Sequence, residues 1–335
     1  MLPIILGSLA AILTAGLAYQ AFGRYRDRRR FPPPGRLISI DHRRLHLREQ
    51  GSGSPVVILE AGIGGSSLGW ALVQPEIAEF ARVCGYDRAG LGWSDAVTTP
   101  ASVPRMIADL DALLFHIGSP PYVLVGHSFG GLLVRAYAHD KPEAVAGLVL
   151  LDPVSLAFWA NCSEREKQRL NLGARLSRRG AMLARIGVVR LALTALLSGG
   201  RMFPKMMARA SAGKARTTLD RLVGEIQKLP RGVWPYIASH WSNPKCLLAM
   251  AAYLECLPAS AEAALSMPVP SSVPVTILSA ANATRAELDE RDGWALASDC
   301  GRHVRLEHSG HWVQLEAPEV VVEAVRQLVD SARLE

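Results

Sequence analysis

The chain has 335 residues, 49 % of them hydrophobic and 20 % charged, with 37 Lys or Arg against 30 Asp or Glu for a net charge of +7. This is ordinary globular composition without repeats or low-complexity segments, and it leaves room for one large or two ordinary domains around a sizeable core. The five cysteines (Cys84, Cys162, Cys246, Cys256 and Cys300) are scattered, odd in number and without CxxC spacing. They indicate neither a zinc site nor a disulfide framework and fit a reducing location, with one bridge in an oxidising compartment left open.

The N-terminus is a separate object. Residues 2–22 carry no charge, and GRYRDRRR follows at once. As a helix this run reaches about 31 Å, enough for the hydrocarbon core of a bilayer. A cleaved signal peptide is the rival reading, with AYQA as a weak cleavage site. The run lacks a preceding basic region and is long for a signal peptide, which favours an uncleaved anchor. The expected organisation is an anchor over 2–23, a basic and Pro-rich linker over 24–35, and a catalytic domain over 36–335. Arginines on the C-terminal side predict a single-pass protein with that domain in the cytoplasm.

FPPPG (31–35) reads as a stiff spacer. RLISI and RRLHLREQ, PVVILEAG (55–62), ARVCGYDRAG (81–90), YVLVGHS and AVAGLVLLDP (144–153) follow as strands. Helices are expected between them over Trp70 to Phe80, over 103–117 and over FGGLLVRAYAHDKP. The alternation breaks over about 155–265, where helical pieces open with the capping box SERE and with NPK. It resumes with VPVTILSA (273–280), a helix near 286–298, HVRLEHS and a final helix. Alternating strands and helices predict an α/β architecture, a mostly parallel doubly wound sheet. The helical insertion after one strand becomes a lid over the C-terminal sheet edge.

Charge is uneven. Residues 24–30 hold five Arg and one Asp, a net +4, and residues 155–230 hold fifteen Lys or Arg against four Asp or Glu, a net +11, which leaves −8 elsewhere. Two basic segments on an acidic body point to contact with a membrane surface rather than nucleic acid. For 155–230 a solvated helical face is the plainer alternative.

GHSFG (126–130) fits G-x-S-x-G between a predicted strand and a predicted helix, the context of a nucleophile elbow. The serine backbone is strained in so tight a bend, and glycine-sized residues are needed at Gly126 and Gly130. Together with ILEAGIGGSSLGW, YDRAGLGWSD, GLVLLDP and SGHWVQLEAPE, in this order, the chain resembles α/β-hydrolases of the serine-esterase type over residues 36 to 335. With the apolar N-terminal helix and FPPPG it resembles bacterial membrane-associated hydrolases labelled proline-iminopeptidase-like.

The resemblance implies Ser128 as nucleophile and His311, in GHW, as its base. His127 is expected to shape the pocket. No Asp stands at the commonest position for the acid. Asp152, closing the strand after the elbow, is the first choice to orient His311, and Asp292 the alternative. Oxyanion donors would be the N–H groups of Phe129 and of Ile63, in the loop where Ala61-Gly62 replaces the usual His-Gly, with Gly64 as a second possibility. Asp87 and Arg88 are expected to brace their loop through ion pairs.

The expected function is a membrane-tethered hydrolase cleaving a hydrophobic ester through an acyl-enzyme, with no metal or cofactor. Alternatives are an aminopeptidase or another amide or C–C hydrolase of this fold. From a different class come a low-turnover ligand-binding protein and a membrane scaffold.

Overall fold

The computed structural model describes residues 1–97, 100–197 and 228–334. Its centre is one eight-stranded sheet: β1 (Arg36–Ile40), β2 (Arg43–Gln50), β3 (Val56–Glu60), β4 (Val83–Asp87), β5 (Tyr122–His127), β6 (Val145–Leu151), β7 (Val275–Ser279) and β8 (Arg302–Arg305). The spatial order is β1-β2-β4-β3-β5-β6-β7-β8. β2 runs antiparallel to β1 and β4, and every other neighbouring pair is parallel. Every residue of β3, β4, β5 and β7 is buried, as parallel strands covered on both faces must be.

The described helices are α1 (Leu2–Arg30), α2 (Gln74–Ala78), α3 (Val103–Ile117), α4 (Phe129–Asp140), α5 (Leu156–Ala160), α6 (Glu164–Arg185), α7 (Val188–Leu197), α8 (Trp234–Trp241), α9 (Pro244–Leu265), α10 (Arg285–Leu296), α11 (Val313–Glu316) and α12 (Pro318–Leu334). The pleat divides the core in two. Ile58 and Leu124 face one layer with Leu110, Leu113 and Leu133 of α3 and α4, while Val57, Leu59, Val123 and Val125 face another with Val321, Val325 and Val329 of α12.

Three expected elements differ. The helix expected over Trp70 to Phe80 is a 3₁₀ turn at Ser67–Trp70 followed by the short α2. Pro75 has no N–H with which to continue a helix from Trp70. The strand expected at HVRLEHS is confined to Arg302–Arg305. The basic residues 24–30, assigned to the linker, are helical: α1 runs unbroken to Arg30, with Arg28, Arg29 and Arg30 in its last turn. Cations at a helix C-terminus are favoured by the dipole, and the prolines after Phe31 end it.

α5 to α9 all lie between β6 and β7. α6 opens with the Ser163/Glu166 capping box, and α9 with the Asn243 side chain accepting from the Lys245 N–H at 3.3 Å. Arg178 of α6 pairs with Glu255 of α9. Residues 198–227, which hold much of the basic stretch, lie outside the described residues. The segments 3–30 and 244–265 are both long and apolar enough to cross a membrane. The first is almost wholly exposed along its apolar window, whereas the second packs against α6.

The far half of α1 rests on this insertion. Gly16, Gln20, Gly23 and Asp27 share one helical face. A Cβ on Gly16 would stand 2.6 Å from the Ile186 carbonyl oxygen, and one on Gly23 would collide with the Arg190 side chain. Gln20 donates to the Ser242 carbonyl at 2.8 Å and accepts from Arg190 Nε at 2.9 Å.

Candidate active site

β5 ends at His127 and α4 begins at Phe129, so Ser128 alone makes the reversal, with φ 53° and ψ −115°. A positive φ on a side-chain-bearing residue costs about 1–3 kcal/mol and needs support from its surroundings. The Ser128 N–H donates to the Leu151 carbonyl at 2.9 Å, and its own carbonyl accepts from the N–H groups of Gly131 at 3.0 Å and Val154 at 3.3 Å. Both elbow glycines are sterically required. A Cβ on Gly126 would come within 2.7 Å of the Gly131 backbone, and one on Gly130 would run into the Glu60 carbonyl oxygen.

Asp152 stands at the end of β6, also at positive φ (38°). Its Oδ2 lies 2.6 Å from Nδ1 of His311. A carboxylate can only accept, so Nδ1 carries the proton and Nε2 keeps its lone pair. The other oxygen, Oδ1, accepts from the Ala280 N–H at 3.1 Å and from Arg291 Nη1 at 2.8 Å. Burial alone would raise the Asp152 pKa. The bond from His311, the Arg291 charge and the Ala280 N–H outweigh it and hold the carboxyl below its usual range. Arg291 is only 2 % exposed and also donates to Ser279 Oγ and to the Pro153 carbonyl.

The sequence reading missed Arg291, which stands among the carboxylates of ELDERD and in the sequence looks like part of the same solvated face. The alternative acid, Asp292, is turned the other way: it pairs with His303 at 2.7 Å and Arg305 at 2.6 Å. Neighbours on a helix point about 100° apart, so only Arg291 faces Asp152. His127 does more than shape the pocket. Its Nε2 donates to the His311 carbonyl at 2.8 Å, fixing the loop that carries that imidazole. Burial lowers the His127 pKa to about 3, so the ring stays neutral.

The loop after β3 closes the site. Arg88 pairs with Glu60 and donates to the carbonyls of Ala61 and Gly62. Within a trans peptide the C=O and N–H are opposed, so fixing the Gly62 carbonyl on Arg88 turns the Ile63 N–H away from it. A Cβ on Gly62 would lie 3.5 Å from Ser128 Cβ, so loop and elbow are in close approach. The Phe129 N–H begins a helix and has no intrahelical acceptor. Asp87 braces the neighbouring loop, accepting from the N–H groups of Ser67 at 2.7 Å and Trp93 at 2.9 Å beside His46. Among the described residues no group of three or more His, Cys, Asp or Glu is placed to hold a metal ion.

Gly130→Ala is expected to lower the free energy of unfolding by about 1–3 kcal/mol through overpacking. Gly293→Ala, in α10 with nothing within 4 Å, is expected to raise it by about 0.5–1 kcal/mol. Equal urea midpoints for the two would contradict the steric account. Arg291→Gln is expected to lose about 3 kcal/mol at pH 7, because it strands the buried Asp152 carboxylate. The folded-state pKa of Asp152 lies below its unfolded value, so its contribution is complete above the usual carboxylate range and is lost as pH falls through the folded value. The gap between wild type and Arg291→Gln should therefore narrow in acid, as read by denaturation across pH. A gap that widens there would refute the assignment.

Comparison with known proteins agrees with this architecture. Residues 55–185 match a family described as alpha/beta hydrolase fold. The chain is 28 % identical over 223 residues to a protein of Klebsiella pneumoniae subsp. pneumoniae named "Putative carbamate hydrolase RutD", covering 66 % of this chain and 81 % of that one. It is 34 % identical over 141 residues, 39 % of its length, to the probable transporter efuK of Hormonema carpetanum, and spans only 20 % of that protein. A solved mutant of a "putative epoxide hydrolase" from Pseudomonas aeruginosa superposes with a TM-score of 0.65 at 19 % identity, covering 89 % of this chain and 96 % of that one. A parallel sheet with one antiparallel strand near its edge, an elbow after β5 and an imidazole loop after β8 make this an α/β-hydrolase fold.

Proposed function

We propose that the chain is a serine hydrolase that cleaves a carboxylic ester of hydrophobic character. The fold and a relative named as a hydrolase support a hydrolase. The observation that carries the finer reading is a strained serine at the strand-helix turn together with the 2.6 Å contact between His311 and Asp152.

In this reading Ser128 Oγ attacks the ester carbonyl carbon and His311 Nε2 takes its proton. Asp152 stabilises the imidazolium that forms, and the N–H groups of Phe129 and Ile63 receive the oxyanion. Collapse expels the alcohol, which takes the proton back from His311. Water repeats the sequence on the acyl-enzyme and releases the acid. An aspartate nucleophile would be the mark of epoxide-opening chemistry, and position 128 is serine.

Hydrophobic substrate preference is supported by what surrounds the loop: a Cβ on Gly64 would meet Met250 and stand 3.4 Å from Trp241, while Trp312 adjoins His127. In the same proposal α1 is a membrane anchor, the body lies on the cytoplasmic side, and α5 to α9 form a lid that opens at the membrane surface.

Hydrolysis of p-nitrophenyl esters with acyl chains of increasing length, by the full-length protein in neutral detergent, tests the reading. Ser128→Ala is expected to lose on the order of 10⁴-fold or more in kcat. Asp152→Asn is expected to lose about 10⁴-fold through the wrong imidazole tautomer. Wild-type activity on no chain length, or activity that survives in Ser128→Ala, would sink the ester reading; inactivity would bring amide substrates forward.

A further inference from the structure

A cavity of about 550 Å³ lies between the basic end of α1, the loop after β4 and the insertion. Neither Ser128, Asp152, His311 nor Ile63 lines it. Arg24, Arg28 and Lys245 do, and none of the three has a carboxylate partner among the described residues. Two other cations of the wall are compensated, Arg190 by Asp27 at 2.6 Å and Arg44 by Asp95 at 3.0 Å. The wall therefore carries an uncompensated positive charge.

Buried side chains show that this is more than surface charge. Arg190 is 9 % exposed; it spends Nε on Gln20 and Nη1 on Asp27, and its Nη2 has no partner among the described residues. His240 is 7 % exposed and neither ring nitrogen is hydrogen-bonded among the described residues. A buried polar group without a partner costs about 1–3 kcal/mol, and two side chains of this wall carry that cost, which a polar ligand able to reach them would relieve. Burial also draws the Lys245 ammonium below the usual lysine range, its Nζ donating only to the Ser94 carbonyl. Burial brings the His240 pKa down to about 4, which leaves a neutral ring with one N–H to donate.

Donors on guanidinium, ammonium and imidazole groups around an excess of positive charge suit an anion with several oxygens. The cavity is larger than one phosphate group needs, which leaves space for an esterified alcohol. Arg24 lines the cavity and is the first charged residue after the apolar run, so the cavity lies beside the end of that run. We propose that this cavity binds the phosphate group of a phosphate ester, at a site separate from Ser128. A phospholipid headgroup and a soluble phosphate ester share this chemistry.

Calorimetric titration of the full-length protein in neutral detergent separates the sources, with inorganic phosphate, glycerol phosphate and micelle-dispersed phosphatidylglycerol as probes. Saturable one-to-one binding is expected for at least one of them. The double variant Arg24→Gln/Arg28→Gln should weaken it about tenfold or more, and Lys245→Met should weaken it further. Both arginines are exposed, so loss in the double variant does not reflect unfolding. Binding of the lipid alone identifies a headgroup site, and equal binding of glycerol phosphate a soluble ligand. No saturable binding of any probe by wild type, or unchanged affinity in the double variant, overturns the proposal. The readout is heat of binding, so the result stands whether or not Ser128 is a nucleophile.

Discussion

A guanidinium sealed beneath the end of β3 determines how the chain can run around Ser128. Arg88 is 5 % exposed and Glu60 is 1 % exposed, so neither charge has water to turn to. Burial pushes the Glu60 carboxyl up, against the pull of Arg88 and the Tyr86 hydroxyl. Such a pair is tolerated when further hydrogen bonds support it, and both terminal nitrogens of Arg88 are engaged, with Glu60 and the Ala61 and Gly62 carbonyls, while Nε is left without a partner among the described residues. The direction of the following N–H groups is a by-product of that satisfaction. The same guanidinium lies 5.5 Å over the Phe129 ring and 5.1 Å over the Tyr253 ring, which ties the β3 loop to the elbow helix and to α9.

The adjacent strands β5 and β6 end alike. Ser128 and Asp152 both take positive φ, and each N–H is anchored to the neighbouring strand: Ser128 to Leu151, Asp152 to Leu278 at 2.7 Å. Parallel strands thus hand over their terminal hydrogen bonds in sequence along one sheet edge, and the strained residues are held by the ladder that precedes them. His311 arrives from a loop with no such ladder. Its position depends on a side chain, the neutral His127 beneath its carbonyl, and on Asp152 at its ring.

Much of this was legible in the residues. Buried runs such as VVILE and VLVGH read as covered parallel strands because both faces of each strand are apolar. The elbow turn was legible because tight geometry leaves few residue choices, whereas Asp152 was singled out only through the resemblance, in which some members carry the acid at the end of that strand. Arg291 was not legible: its partner is 139 positions away, and only the packing of α10 across β7 decides which side of that helix meets Asp152. Local pattern also misjudged α1. Composition marks where a helix turns from apolar to basic, but only helix-terminating residues, here the prolines after Phe31, mark where it ends.

The docking of α1 gives processing at its C-terminal half a structural consequence. A protease cutting after Ala21 would remove Gly16 and Gln20 from their seat, leaving Arg190 with Asp27 alone and the Ser242 carbonyl without its donor. Maturation at that point would be a change in the stability of the insertion as much as a release from any surface. A soluble version of the protein made by trimming the same residues would inherit that defect.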